Sequence, residues 1–160
     1  MNMTPLFLAS TGFKFIDWQK LWAILLKYWD KFLIEGVKYT LLISAITVFF
    51  GAILAAALAL MKMSKILPLR WLSAIYVEVI RGTPMLLQLY FFYFGLPMLI
   101  PALNKQKLLC ICIALICNSA AYVSEVIRSG IQAVDPGQTE AALSLGFNKK
   151  QTMWDIVLPQ

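Results

Sequence analysis

Between Lys38 and Lys62 the chain carries no charged side chain. A helix needs roughly 20 apolar residues to cross the hydrocarbon of a bilayer, so residues 39–61 read as a first transmembrane span. Few soluble folds survive that constraint. Gly51, Ala52, Ala55, Ala56, Ala57 and Ala59 give the span a surface of small residues, which lets helices approach closely where water no longer drives association. The rest of the composition agrees: 61% of residues are hydrophobic and 14% charged, a balance that a soluble domain of this size cannot cover with polar surface. The net charge of +6 is spread between apolar runs and lacks the clustered basic face that nucleic-acid binding uses. These residues read as flanking charges at a membrane surface.

Two further spans follow a basic turn at Lys62, Lys65, Pro68 and Arg70. Residues 71–99 are apolar and long enough, yet include Glu78, Arg81 and Gln88. Ionisable groups at such depth are costly and are functional suspects by default. Glu78 and Arg81 stand one turn apart, where they can pair, and Pro84 is expected to kink the helix. After a loop marked by Pro97, Pro101 and Asn104, residues 108–127 form the third span, with Asn118, Ser119 and Ser124 as points for interhelical hydrogen bonds and Glu125 at its end. The tetrapeptide Glu-Val-Ile-Arg occurs at both 78–81 and 125–128. Successive spans run in opposite directions, so both Glu/Arg pairs fall toward the same membrane face, as a gate or a structural belt.

Upstream, residues 1–13 lack the ordered basic, apolar and small-residue regions of a secretory signal, and no processing is expected. Over residues 17–36, Trp18, Leu21, Trp22, Leu25, Leu26, Trp29, Phe32 and Leu33 recur at helical spacing, with Lys20, Lys27, Lys31 and Glu35 elsewhere. This is an amphipathic helix suited either to the bilayer interface or to packing on a bundle. The chain has no histidine, which removes the commonest general base and transition-metal ligand. Cys110, Cys112 and Cys117 lie in an apolar run and read as small buried hydrophobes. No Gly-rich phosphate loop with Lys and Ser/Thr is present in the sequence, so neither nucleotide binding nor any cofactor or metal is expected.

The polar tail, residues 135–160, says most about function. Asp135 suits an N-cap and Pro136 the first helical position. Glu140 is expected in the first turn, where it would complement the helix dipole, and Gly146 stands where a left-handed residue ends the helix. Asn148 with Gln151 three residues on has capping-box spacing. Trp154, Ile156, Val157 and Leu158 then supply apolar surface before Pro159. Ala141 and Ala142 side by side would let another protein's backbone come close.

Glu140-Ala141-Ala142, Gly146 four residues later, and Ile156-Val157-Leu158-Pro159 resemble the cytoplasmic "EAA" loop of the membrane subunits of bacterial ATP-binding-cassette importers. Gly137-Gln138 and Arg81-Gly82-Thr83-Pro84 resemble the branch that imports polar amino acids. The resemblance implies an all-α polytopic membrane protein: an N-terminal segment over residues 1–38, then a type-1 permease domain over 39–160 with three of the family's usual five spans, the chain stopping after the loop. It implies a coupling helix carrying Gly137, Glu140, Ala141, Ala142 and Gly146 that docks in a groove of a separate ATPase subunit. A second permease subunit, identical or not, and a periplasmic or surface solute-binding protein would be the other partners. Glu78, Arg81, Gln88, Asn118 and Glu125 would border the substrate path or its gate. Lysine and arginine counts on the two sides are equal, so the charge rule gives no orientation; the resemblance sets residues 1–38 outside and the loop in the cytoplasm of the bacterial inner membrane. The competing readings are a membrane-embedded enzyme using Glu78, Glu125 or Asp135 as acid or base, and a non-functional permease remnant.

Overall fold

The computed structural model describes residues 18–160; the reading of residues 1–13 lies outside them. Every regular element among the described residues is helical. The chain divides into two compact units, residues 1–42 and 43–160. In the first, α1 (Trp18–Asp30) is followed by a π-helical turn (Lys31–Glu35) and the start of α2 (Gly36–Met63). No loop separates these elements, so the expected interfacial helix is not set off by a turn. Trp22, Leu25, Leu26, Trp29, Phe32 and Leu33 are all exposed.

The second unit is built on close helix contact. A methyl group on Gly51 of α2 would sit 3.2 Å from Ser119 Oγ of α6 (Lys107–Ala133). The buried centre is correspondingly small, with Ala55, Leu58 and Ala120 flanked by Leu54, Tyr76, Val123 and Ile127. α3 (Leu67–Gly82) is tied in by polar side chains that reach neighbouring backbones. Ser73 Oγ donates to the Leu58 carbonyl at 2.8 Å and Tyr76 OH to the Cys117 carbonyl at 2.9 Å. Where apolar contact adds little, small faces and hydrogen bonds of this kind hold helices together.

One helix expectation is corrected. Residues 71–99 are not one kinked helix: Thr83 (φ −111°, ψ 143°) and Pro84 (φ −61°, ψ 134°) are extended, and α3 ends there. A proline pushes the residue before it out of the α region, and Gly82 offers little resistance, so the kink becomes a full break. The chain resumes as α4 (Met85–Tyr90), a π-helical turn (Phe91–Gly95) and α5 (Leu96–Leu99). Lys107 Nζ donates to the Tyr93 carbonyl at 3.0 Å and lies 4.8 Å from that ring's centroid. α6 runs past Glu125 to Ala133, and Glu125 lies among charges from α2 and α3. By length and composition two described helices, Gln19–Met63 and Lys107–Ala133, can cross a membrane.

Candidate functional site

Three constellations carry the chemistry. The first is the helical hairpin after α6. Asp135 Oδ1 accepts from the Gly137 N–H at 2.7 Å and caps α7 (Pro136–Ser144); a Cβ on Gly137 would crowd that same oxygen at 3.0 Å. At the other end Gly146 adopts φ +89°. The Phe147 N–H then donates to the Ala142 carbonyl at 3.1 Å and the Gly146 N–H to the Leu143 carbonyl at 3.0 Å, the paired bonds of a Schellman ending. Asn148 caps α8 (Lys149–Gln151) through the predicted capping box, Oδ1 accepting from the Lys150 and Gln151 N–H groups at 3.0 Å while Gln151 Oε1 accepts from the Asn148 N–H. α7 packs against the following π-helical turn (Thr152–Val157).

The hairpin differs from expectation in two respects. Glu140 is the fifth residue of α7 and lies beyond its first turn, which contains no acid, because the helix starts at Pro136. Ala142 is 4% exposed and belongs to the hairpin's interior with Thr152 and Val157, so only Ala141 of the pair is exposed. Neighbouring helix positions point about 100° apart, and the packed side claims Ala142. Beside Glu140 and Ala141, α7 and its cap expose Leu143 and Leu145, the latter 80% exposed.

The second constellation is a charge cluster. Glu125 of α6 binds Lys62 of α2 through Oε1 and Arg128 through Oε2, from Nη2 at 2.9 Å and Nε at 3.2 Å. Arg81 Nη1 of α3 lies 4.0 Å from the same Oε2, and its guanidinium carbon stands 5.5 Å from the Tyr122 ring centroid. The two Glu-Val-Ile-Arg copies thus meet, the arginine of one facing the glutamate of the other. The expected Glu78–Arg81 pair does not form; Arg81 is drawn across to α6, where the Glu125 carboxylate and an aromatic face attract it together. Lys62, read from sequence as part of a basic turn, joins this cluster, and Arg128 pairs with Glu125 within its Glu-Val-Ile-Arg copy.

The third is the weld at the helix break. Pro84 has no N–H, so the Ile80 carbonyl four residues earlier loses its helical donor. Gln88 replaces it: Nε2 donates to the Ile80 carbonyl at 2.7 Å, to Thr83 Oγ1 at 2.7 Å and to the Thr83 carbonyl at 3.1 Å. Its Oε1 accepts from Asn118 Nδ2 of α6 at 3.0 Å. Gln88 is buried. Sequence reasoning missed Thr83, although the spacing was available: a proline, an orphan carbonyl four residues before it and an amide side chain four residues after.

An apolar helical bundle with charged and amide groups tied between its helices, followed by a doubly capped polar hairpin, is the architecture of an all-α membrane protein. Residues 47–160 match the family described as binding-protein-dependent transport system inner membrane component. The chain belongs to that family. It is 45% identical over 129 residues to the arginine transport system permease protein ArtQ of Bacillus subtilis (strain 168), a match covering 81% of this chain and 58% of the relative. With the L-cystine transport system permease protein TcyB of the same organism it shares 37% identity, over 87% of this chain and 58% of the relative. Among solved structures, a crystal structure of an amino acid ABC transporter with histidines superposes with a TM-score of 0.74 at 44% identity, over 86% of this chain and 63% of that one. The chain therefore spans less than two thirds of the length of each of these proteins.

Proposed function

We propose that the chain is a permease subunit of an ATP-driven amino acid importer, forming half of a translocation pathway and coupling it to a separate ATPase. The observation that carries this reading is the hairpin: a short helix locked at both ends by side-chain and backbone caps, presenting Glu140, Ala141, Leu143 and Leu145 outward. Such an element passes on a displacement without melting. It is the ATPase-docking surface, with Gly137 and Gly146 permitting its two caps. Three crossings, the middle one being the broken α3–α5 segment, would put the hairpin and residues 1–38 on opposite sides, and docking on a cytoplasmic ATPase sets the hairpin in the cytoplasm and residues 1–38 outside. Glu78, Arg81 and Glu125 lie toward the cytoplasmic gate, while Gln88 and Asn118 fix the break that borders the path. A solute-binding protein delivers the amino acid, and a second permease subunit completes the pathway. ATP drives accumulation only because the two access states contact substrate differently.

The test is copurification in detergent with the ATPase subunit encoded beside it. The wild-type chain should retain the ATPase, and Gly146→Pro, which cannot adopt φ +89° and loses the bond to Leu143, should lose it while still inserting. Equal retention by both would remove the hairpin from the docking surface.

A further inference from the structure

We propose that the second arm of the hairpin, residues 149–158, is a surface anchor for anionic phospholipid. Lys149 and Lys150 take headgroup phosphates, and Trp154 and Leu158 sit among the glycerol and upper acyl carbons; this rests on the reading of α7 as the ATPase-docking arm and assigns a partner to the other arm. The hairpin has two layers, each burying one side against the other. Ala142 of α7 turns inward, as do Thr152 and Val157 of the second arm. The outer sides of the two arms therefore face in opposite directions. Only Val134 and Asp135 separate the hairpin from α6, so it stays close to the membrane that α6 is read to cross. With α7 turned to a cytoplasmic ATPase, the second arm is turned to the bilayer.

The outer side of the second arm has the chemistry of an interfacial segment. Trp154 is 63% exposed and Leu158 45%. Lys150, Trp154 and Leu158 follow one another at i, i+4 and i+8, a spacing that keeps side chains on one face of a helix. A tryptophan offers an apolar ring and a polar N–H, which suits the boundary between acyl chains and headgroups, and lysines beside it suit an anionic surface. Lys149 and Lys150 are exposed, and neither makes an ion pair or a side-chain hydrogen bond among the described residues. The sign of the charge also sorts the two arms. Residues 149–158 carry these two lysines against one acid, Asp155, whereas the only charged side chain of α7 is Glu140. An anionic lipid surface attracts the second arm and repels α7, which leaves α7 presented to the cytoplasm.

The experiment reconstitutes the chain in phosphatidylcholine vesicles with and without phosphatidylglycerol and reads the emission of Trp154, with Trp18, Trp22, Trp29 and Trp71 replaced by Phe. Phospholipid brominated near the glycerol end of its acyl chains should quench Trp154 and aqueous acrylamide should not, and phosphatidylglycerol should deepen the bromolipid quenching. Lys149→Gln and Lys150→Gln should each lower the ratio of membrane-seated to free arm about fivefold, the attraction of one basic residue to an anionic surface. The difference in quenching between the wild-type chain and Trp154→Phe gives the same readout without the four Phe substitutions. Neither lysine substitution should release the ATPase in copurification. Acrylamide quenching without bromolipid quenching overturns the anchor and leaves the docking reading of α7 standing. Bromolipid quenching indifferent to both lysines and to phosphatidylglycerol overturns the headgroup contact. Loss of the ATPase on Trp154→Ser or Lys150→Gln, with no bromolipid quenching, assigns the second arm to the ATPase and overturns the anchor. A wild-type chain that retains no ATPase while Trp154 is quenched by bromolipid removes the docking reading instead.

Discussion

At the scale of single residues, Gln88 shows how one side chain makes a broken helix tolerable. Its amide replaces the donor that Pro84 lacks and then reaches Asn118 on another helix. Gln88→Leu removes the donor to the Thr83 carbonyl and leaves the Ile80 carbonyl only the longer 3.3 Å bond from Thr83 Oγ1, and should cost about 1–2 kcal/mol, given what buried hydrogen bonds contribute in membrane proteins, read as a lower denaturation midpoint in detergent. Pro84→Ala returns an N–H to Ile80, so the double variant should lose less than the sum of the two single losses. Gly51 is the opposite case, a residue defined by what it omits. With Ser119 Oγ 3.2 Å and Cβ 3.3 Å from its would-be methyl, Gly51→Ala requires a shift of a few tenths of an ångström. Gly51→Leu forces α2 off α6 and should cost about 1–3 kcal/mol.

At the scale of elements, the hairpin after α6 is held by local chemistry, so its stability should respond to local changes without disturbing the bundle. Asp135→Ala removes the cap on Gly137 and should cost about 1 kcal/mol. Gly146→Ala places a Cβ in the left-handed region at φ +89°, for a comparable loss of about 1 kcal/mol. Hydrogen exchange should quicken across residues 136–147 in either variant, while amides in α6 around Ala120 stay protected. A loss of protection spreading into α6 would show that the hairpin does not move as a separate unit. The broken α3–α5 segment behaves differently: its integrity depends on a residue of α6, so no single stretch of sequence contains it.

At the scale of the whole molecule, Glu125 ties α2, α3 and α6 through Lys62, Arg81 and Arg128. Glu125→Gln leaves three partly covered cations near one another without their carboxylate. The loss should lie between that of an exposed pair and that of a fully buried one, about 2 kcal/mol, and a double-mutant cycle with Lys62→Gln in thermal unfolding should recover a coupling of about 1 kcal/mol. Additive losses would mean that the two residues act independently. The sequence alone determined what depends on neighbours within one helical turn or on plain hydropathy. That covers the helical class, the apolar runs around residues 39–61 and 108–127, the caps at Asp135, Gly146 and Asn148, and the family likeness of the tail. Tertiary structure decided what depends on groups brought together from 30 to 63 residues apart. Only the packed bundle could show that Arg81 leaves Glu78 for Glu125 and that Gln88 and Asn118 weld the break, and only the folded hairpin that Ala142 turns inward while Ala141 stays out. Caps and hydropathy are written in local spacing, whereas the partner of a charge is whichever opposite charge the fold brings nearest.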